Sequence, residues 1–212
     1  DGSELETRIT ADMDIPEKIH QFAQKFEVED TGFKFINNGL FGYIAYDGVK
    51  YFEKVSLEKK AEDLKIPELY YAVYQNIIAI NHFNNEAYIF DHSYGSRNNI
   101  EQIAQLLKAQ NIATYPFSVE GAPQSNESDE GFIEKVKLAK QHCHRGDVFQ
   151  LVLSRRFSQK FKGDEFNVYR ALRHVNPSPY LFYFDYGDFR IFGSSPEAQL
   201  VVEGSQVEIH PI

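Results

Sequence analysis

The segment Asn176-Pro177-Ser178-Pro179-Tyr180-Leu181-Phe182 concentrates features that could recognise a small molecule. Its prolines fix φ at their own positions and push Asn176 and Ser178 towards extended conformations. The result is a stiff, partly unpaired backbone beside aromatic side chains. One reading is a plain strand entry. The other is a pre-ordered wall for an aromatic ligand, with free carbonyls to receive an ammonium group. Burying roughly 150–250 Å² of ligand aromatic surface at about 25 cal/mol per Å² gives roughly 4–6 kcal/mol gross. Association consumes much of that, so charged or backbone groups must also hold the ligand's polar end.

Other residues carry weaker signals. Ser154-Arg155-Arg156-Phe157 could fork onto a carboxylate, or could form structural salt bridges at a strand end. Gln150 sits in the apolar run 148–155, which predicts a strand, and a buried amide costs energy unless it is bonded. His142-Cys143-His144 has metal-ligating side chains, but on a helix neighbours point about 100° apart and do not converge on one ion. Ser194-Ser195-Pro196-Glu197 resembles a nucleophile turn, yet no histidine partner is assignable, and a strand-connecting turn is the simpler reading. The common phosphate-loop, nucleophile-elbow and zinc-hydrolase motifs are absent.

These residues need elements to position them. Asp14 caps a helix with Pro16 in its first turn, and Ile15, Ile19, Phe22, Ala23 and Phe26 recur at helical spacing to about Glu27. Residues 40–46 read as a strand largely covered on both faces, bounded by Asn37-Asn38-Gly39 and Asp47-Gly48. Residues 69–80 and 86–91 form an antiparallel hairpin across an Asn-rich turn. Asn98 or Asn99 starts a helix through Gln110, and the Gly-, Pro-, Ser- and acid-rich stretch 119–129 is a surface connector. Phe132, Val136 and Ala139 mark a helix after Ser128, stopped at Arg145-Gly146-Asp147. Asp164 caps another helix to His174. Short strands then follow at 180–185, 189–193, 198–203 and 206–209. Helices interspersed with antiparallel meanders predict an α+β fold of antiparallel β-sheets packed with helices.

Composition bounds the partners. The chain has 212 residues, 22 Lys plus Arg against 31 Asp plus Glu, and a net charge of −9, which argues against a nucleic-acid backbone. No apolar run approaches the roughly 20 residues of a membrane span, so no membrane partner is expected. The single cysteine, Cys143, suits a reducing compartment, and a cytoplasmic location is expected. The chain opens at Asp1 and stops at Ile212, just past a predicted strand, which raises the expectation of an excised fragment.

From Gly39 onward, several blocks resemble component I of anthranilate synthase, in the chorismate-utilising enzyme family. They are Leu40-Phe41-Gly42-Tyr43-Ile44-Ala45-Tyr46-Asp47 with Tyr51-Phe52-Glu53, then residues 145–157, residues 176–182, Gly193-Ser194-Ser195-Pro196-Glu197 and Ile209-His210-Pro211-Ile212, in the family's order. The resemblance implies an anthranilate synthase/aminodeoxychorismate synthase-like fold, here incomplete. It implies an N-terminal regulatory and partner-docking region over 1–125 and the start of a chorismate-binding catalytic domain over 126–212. Such enzymes use Mg²⁺ to hold chorismate while ammonia, supplied by a glutamine amidotransferase subunit, adds to the ring and pyruvate leaves. L-tryptophan inhibits them. The family's metal-binding glutamates and catalytic histidine fall past residue 212, so no catalytic residue or metal ligand is expected here, and this stretch alone is expected to be inactive.

By the same resemblance, Asn176, Pro177, Ser178, Pro179, Tyr180, Leu181 and Phe182 match the inhibitor-binding motif, with Pro179, Tyr180 and Leu181 at the tryptophan-contacting positions. Leu181 stands where relatives usually have Met, a volume-conserving change. The family's upstream Leu-Leu-Glu-Ser half of that site is missing. Gln150 falls in the substrate pocket at a position where water-adding relatives carry a lysine base; an amide cannot take the proton, which suits ammonia as nucleophile. The nearest rival is aminodeoxychorismate synthase component I, in which lysine usually replaces the alanine that follows Pro-Ile. A non-catalytic regulatory or interaction domain is the third reading. A shared core lacking its second half is expected to expose apolar strand edges and to self-associate.

Overall fold

The computed structural model describes residues 10, 13–57, 66–93, 98–109 and 115–210. The chain forms two compact units, Asp1–Ile112 and Ala113–Ile212.

In the first unit, Asp14 caps α1 (Ile15–Ala23), its carboxylate accepting the Glu17 N–H at 3.0 Å. The helix ends before Glu27 because the Lys25 and Phe26 N–H groups bond carbonyls three residues back, tightening the last turn. β1 (Phe41–Ile44) pairs antiparallel with β2 (Leu69–Ala72), with Gly42 opposite Tyr71. A Cβ on Gly42 would run into the Tyr70 carbonyl, so only glycine admits this approach. β1 is half-covered rather than largely covered on both faces: Phe41, Gly42 and Tyr43 are partly exposed and Ile44 is exposed.

The run 69–80 is two strands, not one. β3 (Asn76–Asn81) leaves β2 and pairs with β4 (Glu86–Asp91) in a separate sheet, because the two halves find different partners. The Asn-rich turn is as expected: Asn81 Oδ1 accepts from the Phe83 and Asn84 N–H groups, and Asn85 takes φ 55°. Phe33 and Phe35 pack edge-on and tilted against Tyr88 and Phe90 of β4. The start of α2 (Ile100–Lys108) is tied to β4, the Asn99 N–H donating to Asp91 Oδ2 at 2.6 Å. That backbone bond, more than any other group, holds the Asp91 carboxyl below its usual range. The expected helix end at Gln110 lies outside the described residues.

In the second unit, β5 (Ser118–Ser125) pairs antiparallel with β6 (Phe157–Lys162), with a register shift between Glu120 and Gln124. The stretch expected to be a connector is therefore a strand as far as Ser125. Gly121, at φ 71°, and Pro123 fall inside the irregularity, where they do not break the ladder. α3 (Asp129–Arg145) starts at Ser128, whose hydroxyl accepts the Gly131 N–H, and ends at Gly146 with φ 80°. Gly146 N–H to Cys143 O and Asp147 N–H to His142 O complete the helix stop.

The predicted strand 148–155 is absent. Among the described residues the segment has no ladder partner, Phe149 and Val152 are fully or largely exposed, and β6 begins only at Phe157. Its apolar content signalled burial, but among the described residues no neighbouring strand pairs with it.

α4 (Phe166–Val175) starts beside Asp164, whose carboxylate accepts the Phe166 N–H, and lies on the hairpin β7 (Tyr180–Asp185) and β8 (Arg190–Ser195). β9 (Gln199–Glu203) and β10 (Gln206–His210) form a second hairpin. Among the described residues each sheet has two strands. Among the described residues, only Ile15, Asn37 and Gly48 are buried. Leu200, Val202, Val207 and Ile209 share one uncovered face of β9–β10, each more than half exposed. No helix among the described residues is long and apolar enough to cross a membrane.

Candidate functional site

The hairpin β7–β8 has two chemically different faces. Strand alternation and register place Leu181, Tyr183, Phe192 and Ser194 on one face. α4 covers it: Phe166 meets the Tyr183 ring edge-on at 5.1 Å, and Tyr169 lies 5.4 Å from Tyr183 and 6.2 Å from Phe192. Arg190 fastens the packing, its Nε 2.6 Å from Glu165 and 3.3 Å from Asp185. Burial beneath α4, followed by the nearby Glu165 and Asp185 charges, pushes the Tyr183 hydroxyl pKa up.

The other face carries Tyr180, Phe182 and Phe184, with no helix on it among the described residues. Tyr180 is 48% and Phe182 38% exposed, and Phe184 stacks on Tyr186 at 5.8 Å. An aromatic stripe beside the Asn176–Pro179 entry is thus open to a ligand. Of the expected contact positions, Tyr180 stands on the open face and Leu181 on the helix face, so a ligand lying flat on either face meets only one of them.

The entry segment is pinned. Ser194 Oγ donates to the Asn176 carbonyl at 2.7 Å, and the Ser178 N–H donates to Ser194 Oγ at 3.4 Å. The Asn176 carbonyl also accepts the Ser178 N–H at 2.9 Å. Asn176 therefore does not offer the free carbonyl that its pre-proline position suggested. Those of Pro177 and Ser178 accept no hydrogen bond among the described residues.

Arg155 is a structural clamp. Its guanidinium donates to Ser125 Oγ at 2.7 Å, Glu127 O at 2.6 Å and Asp129 Oδ1 at 2.5 Å, and lies 4.7 Å above the Phe157 ring. Asn126 Oδ1 accepts the Arg156 N–H at 2.9 Å beside it. The clamp joins the β5–α3 turn to the start of β6. Of the two readings of the arginine pair, the structural one describes Arg155. Ser125, Asn126, Glu127 and Asp129 carried no motif; the signal that could have exposed them is the Ser-Asn-Glu-Ser turn chemistry ahead of the helix.

Gln150 is exposed on the unladdered stretch 148–156 and makes no hydrogen bond among the described residues. The premise of a buried amide in a strand does not hold in this chain. His142 Nδ1 and Arg145 both bond Asp147 Oδ2 at 2.8 Å, a helix-end cluster. Ser195 bonds locally to Glu197, consistent with a turn.

Comparison with known proteins decides the family. The model describing chorismate binding enzymes matches residues 2–212, the whole chain but its first residue. This chain belongs to the chorismate-binding enzyme family. It is 34% identical over 186 residues to anthranilate synthase component 1 of Lactococcus lactis subsp. lactis (strain IL1403), covering 82% of this chain and 40% of that one. It is 29% identical over 204 residues to aminodeoxychorismate synthase component 1 of Bacillus subtilis (strain 168), covering 92% and 43%. A crystal structure of anthranilate synthase component I from Streptococcus pneumoniae TIGR4 superposes with a TM-score of 0.70 at 26% identity, over 92% of this chain and 46% of that one. The chain thus spans less than half the length of these chorismate-family relatives, and its antiparallel α+β fold is theirs.

Proposed function

We propose that the protein is the chorismate-binding component of an anthranilate synthase. It converts chorismate and ammonia to anthranilate, pyruvate and water, and it works in the cytoplasm with a glutamine amidotransferase subunit as ammonia source. L-tryptophan regulates it by binding the 176–182 wall. The observation that carries this reading is the open aromatic face of Tyr180 and Phe182 beside the unbonded Pro177 and Ser178 carbonyls, in a chain of this family. The indole stacks on the aromatic face and the ammonium group takes up the carbonyls.

Mg²⁺ holds chorismate in this reading, but not through these residues. Among the described residues no three His, Cys, Asp or Glu side chains gather to hold a metal ion, so the residues present do not fit it. In this reading residues 1–212 by themselves do not carry out the reaction. Gln150 contributes to the substrate pocket as an uncharged amide that leaves ammonia, rather than water, as nucleophile.

A second reading is aminodeoxychorismate synthase component I, favoured by the Bacillus relative that covers 92% of the chain. Product analysis of the full-length protein with chorismate, ammonium and Mg²⁺ separates the two. Anthranilate with released pyruvate supports the first; an aminated product retaining the enolpyruvyl group overturns it in favour of the second.

A further inference from the structure

The proposed wall does not hold its shape by proline stiffness alone. Proline fixes φ at 177 and 179 but leaves ψ free, and it is ψ that aims the carbonyls of Asn176, Pro177 and Ser178. Two neighbouring residues of β8 act on those degrees of freedom. Ser194 uses its donor on the Asn176 carbonyl and an acceptor on the Ser178 N–H, so one hydroxyl grips the backbone on both sides of Pro177. Gly193 acts sterically: a Cβ there would lie 2.7 and 2.9 Å from the Phe182 ring, which rests directly on the glycine.

We propose that Gly193 and Ser194 are positioning residues for ligand recognition by the 176–182 wall, Ser194 setting the carbonyls and Gly193 seating the Phe182 ring. This rests on the reading of that wall as the tryptophan site. Ser194 is no nucleophile in this arrangement: its proton is committed to a carbonyl, and its bonds go to backbone rather than to a base. The glycine-serine pair thus serves the wall from the opposite strand. A hydroxyl at 194 is required, and a serine-sized side chain alone does not suffice.

The test is equilibrium dialysis of L-tryptophan with the full-length protein and its Ser194→Ala, Ser194→Cys, Ser194→Thr and Gly193→Ala variants. Ser194→Ala weakens binding roughly tenfold, and Ser194→Thr, which keeps the hydroxyl, restores it to within about threefold. Gly193→Ala weakens it by displacing Phe182. Amide exchange at Ser178 speeds up in Ser194→Ala and not in Ser194→Thr. Should the alanine variant fail to fold, Ser194→Cys carries the same test, since a thiol is a poor donor of similar size. Wild-type-like binding in Ser194→Ala or Ser194→Cys, in a protein that does bind tryptophan, overturns the positioning role and leaves the tryptophan reading intact. A wild-type protein that binds no tryptophan overturns that reading, and the role built on it falls too.

Discussion

Replacing Arg155 tests whether this arginine is a clamp or a substrate ligand. Its side chain is only 16% exposed and donates to two uncharged oxygens, Ser125 Oγ and Glu127 O. A hydrogen bond from a charged donor contributes about 1.5 kcal/mol or more, so these two contribute about 3 kcal/mol together. The Asp129 partner is 76% exposed and adds only about 0.5 kcal/mol after solvent screening. Arg155→Ala should therefore destabilise the junction of β5, α3 and β6 by about 3 kcal/mol. Arg155→Lys, with one point-like charge in place of a fork, should recover about a third of that. The local reporters are the Asn126 and Arg156 amides, which bond across the junction. Their exchange protection in the full-length protein should fall about a hundredfold in Arg155→Ala. Unchanged protection together with a raised KM for chorismate would refute the clamp and return Arg155 to carboxylate binding.

Three further outcomes follow from the same physical reasoning. Asp91 titrates below its ordinary range in the folded state, so its contribution to stability is full above about pH 4 and is lost as pH falls through the lowered pKa; an Asn99 amide resonance that shifts in that acid window in wild type but not in Asp91→Asn checks this. Gln150→Lys in the full-length protein should cut ammonia-dependent turnover at least about a hundredfold and yield a water-addition product; unchanged ammonia-dependent activity with no such product speaks against the pocket role. The 212-residue chain alone should self-associate through uncovered surfaces such as the Leu200, Val202, Val207 and Ile209 face; a monomer in sedimentation that binds no apolar dye contradicts it.

Local signals were legible where local physics decides. Asp14 and Ser128 cap the helices their types suggested, Gly146 stops α3 in the left-handed region, and Asn81 builds its own turn. The β7–β8 and β9–β10 hairpins were readable from alternation and tight turns. Pairing across long separations was not. Residues 119–129 looked like a connector because of their Gly, Pro, Ser and acidic content, yet β6, more than thirty residues away, supplies a ladder for their first part, up to Ser125. Residues 148–155 looked like a strand because they are apolar, yet no strand among the described residues pairs with them. The stiffness of segment 176–182 was visible in its prolines, but the hydroxyl that grips it comes from Ser194, sixteen residues beyond Ser178, where the serine suggested only a turn. Strand alternation alone separates Tyr180 from Leu181; that α4 closes Leu181's side required the fold.

The most direct test of the functional account follows anthranilate fluorescence in the full-length protein with chorismate, ammonium and Mg²⁺ while L-tryptophan is titrated in, for wild type and for Phe182→Ala. The account predicts anthranilate formation that tryptophan suppresses in wild type, with suppression requiring at least about tenfold more tryptophan once the open aromatic face loses Phe182. Anthranilate formation indifferent to tryptophan in wild type, or equally suppressed in both proteins, would contradict the regulatory role given to the 176–182 wall.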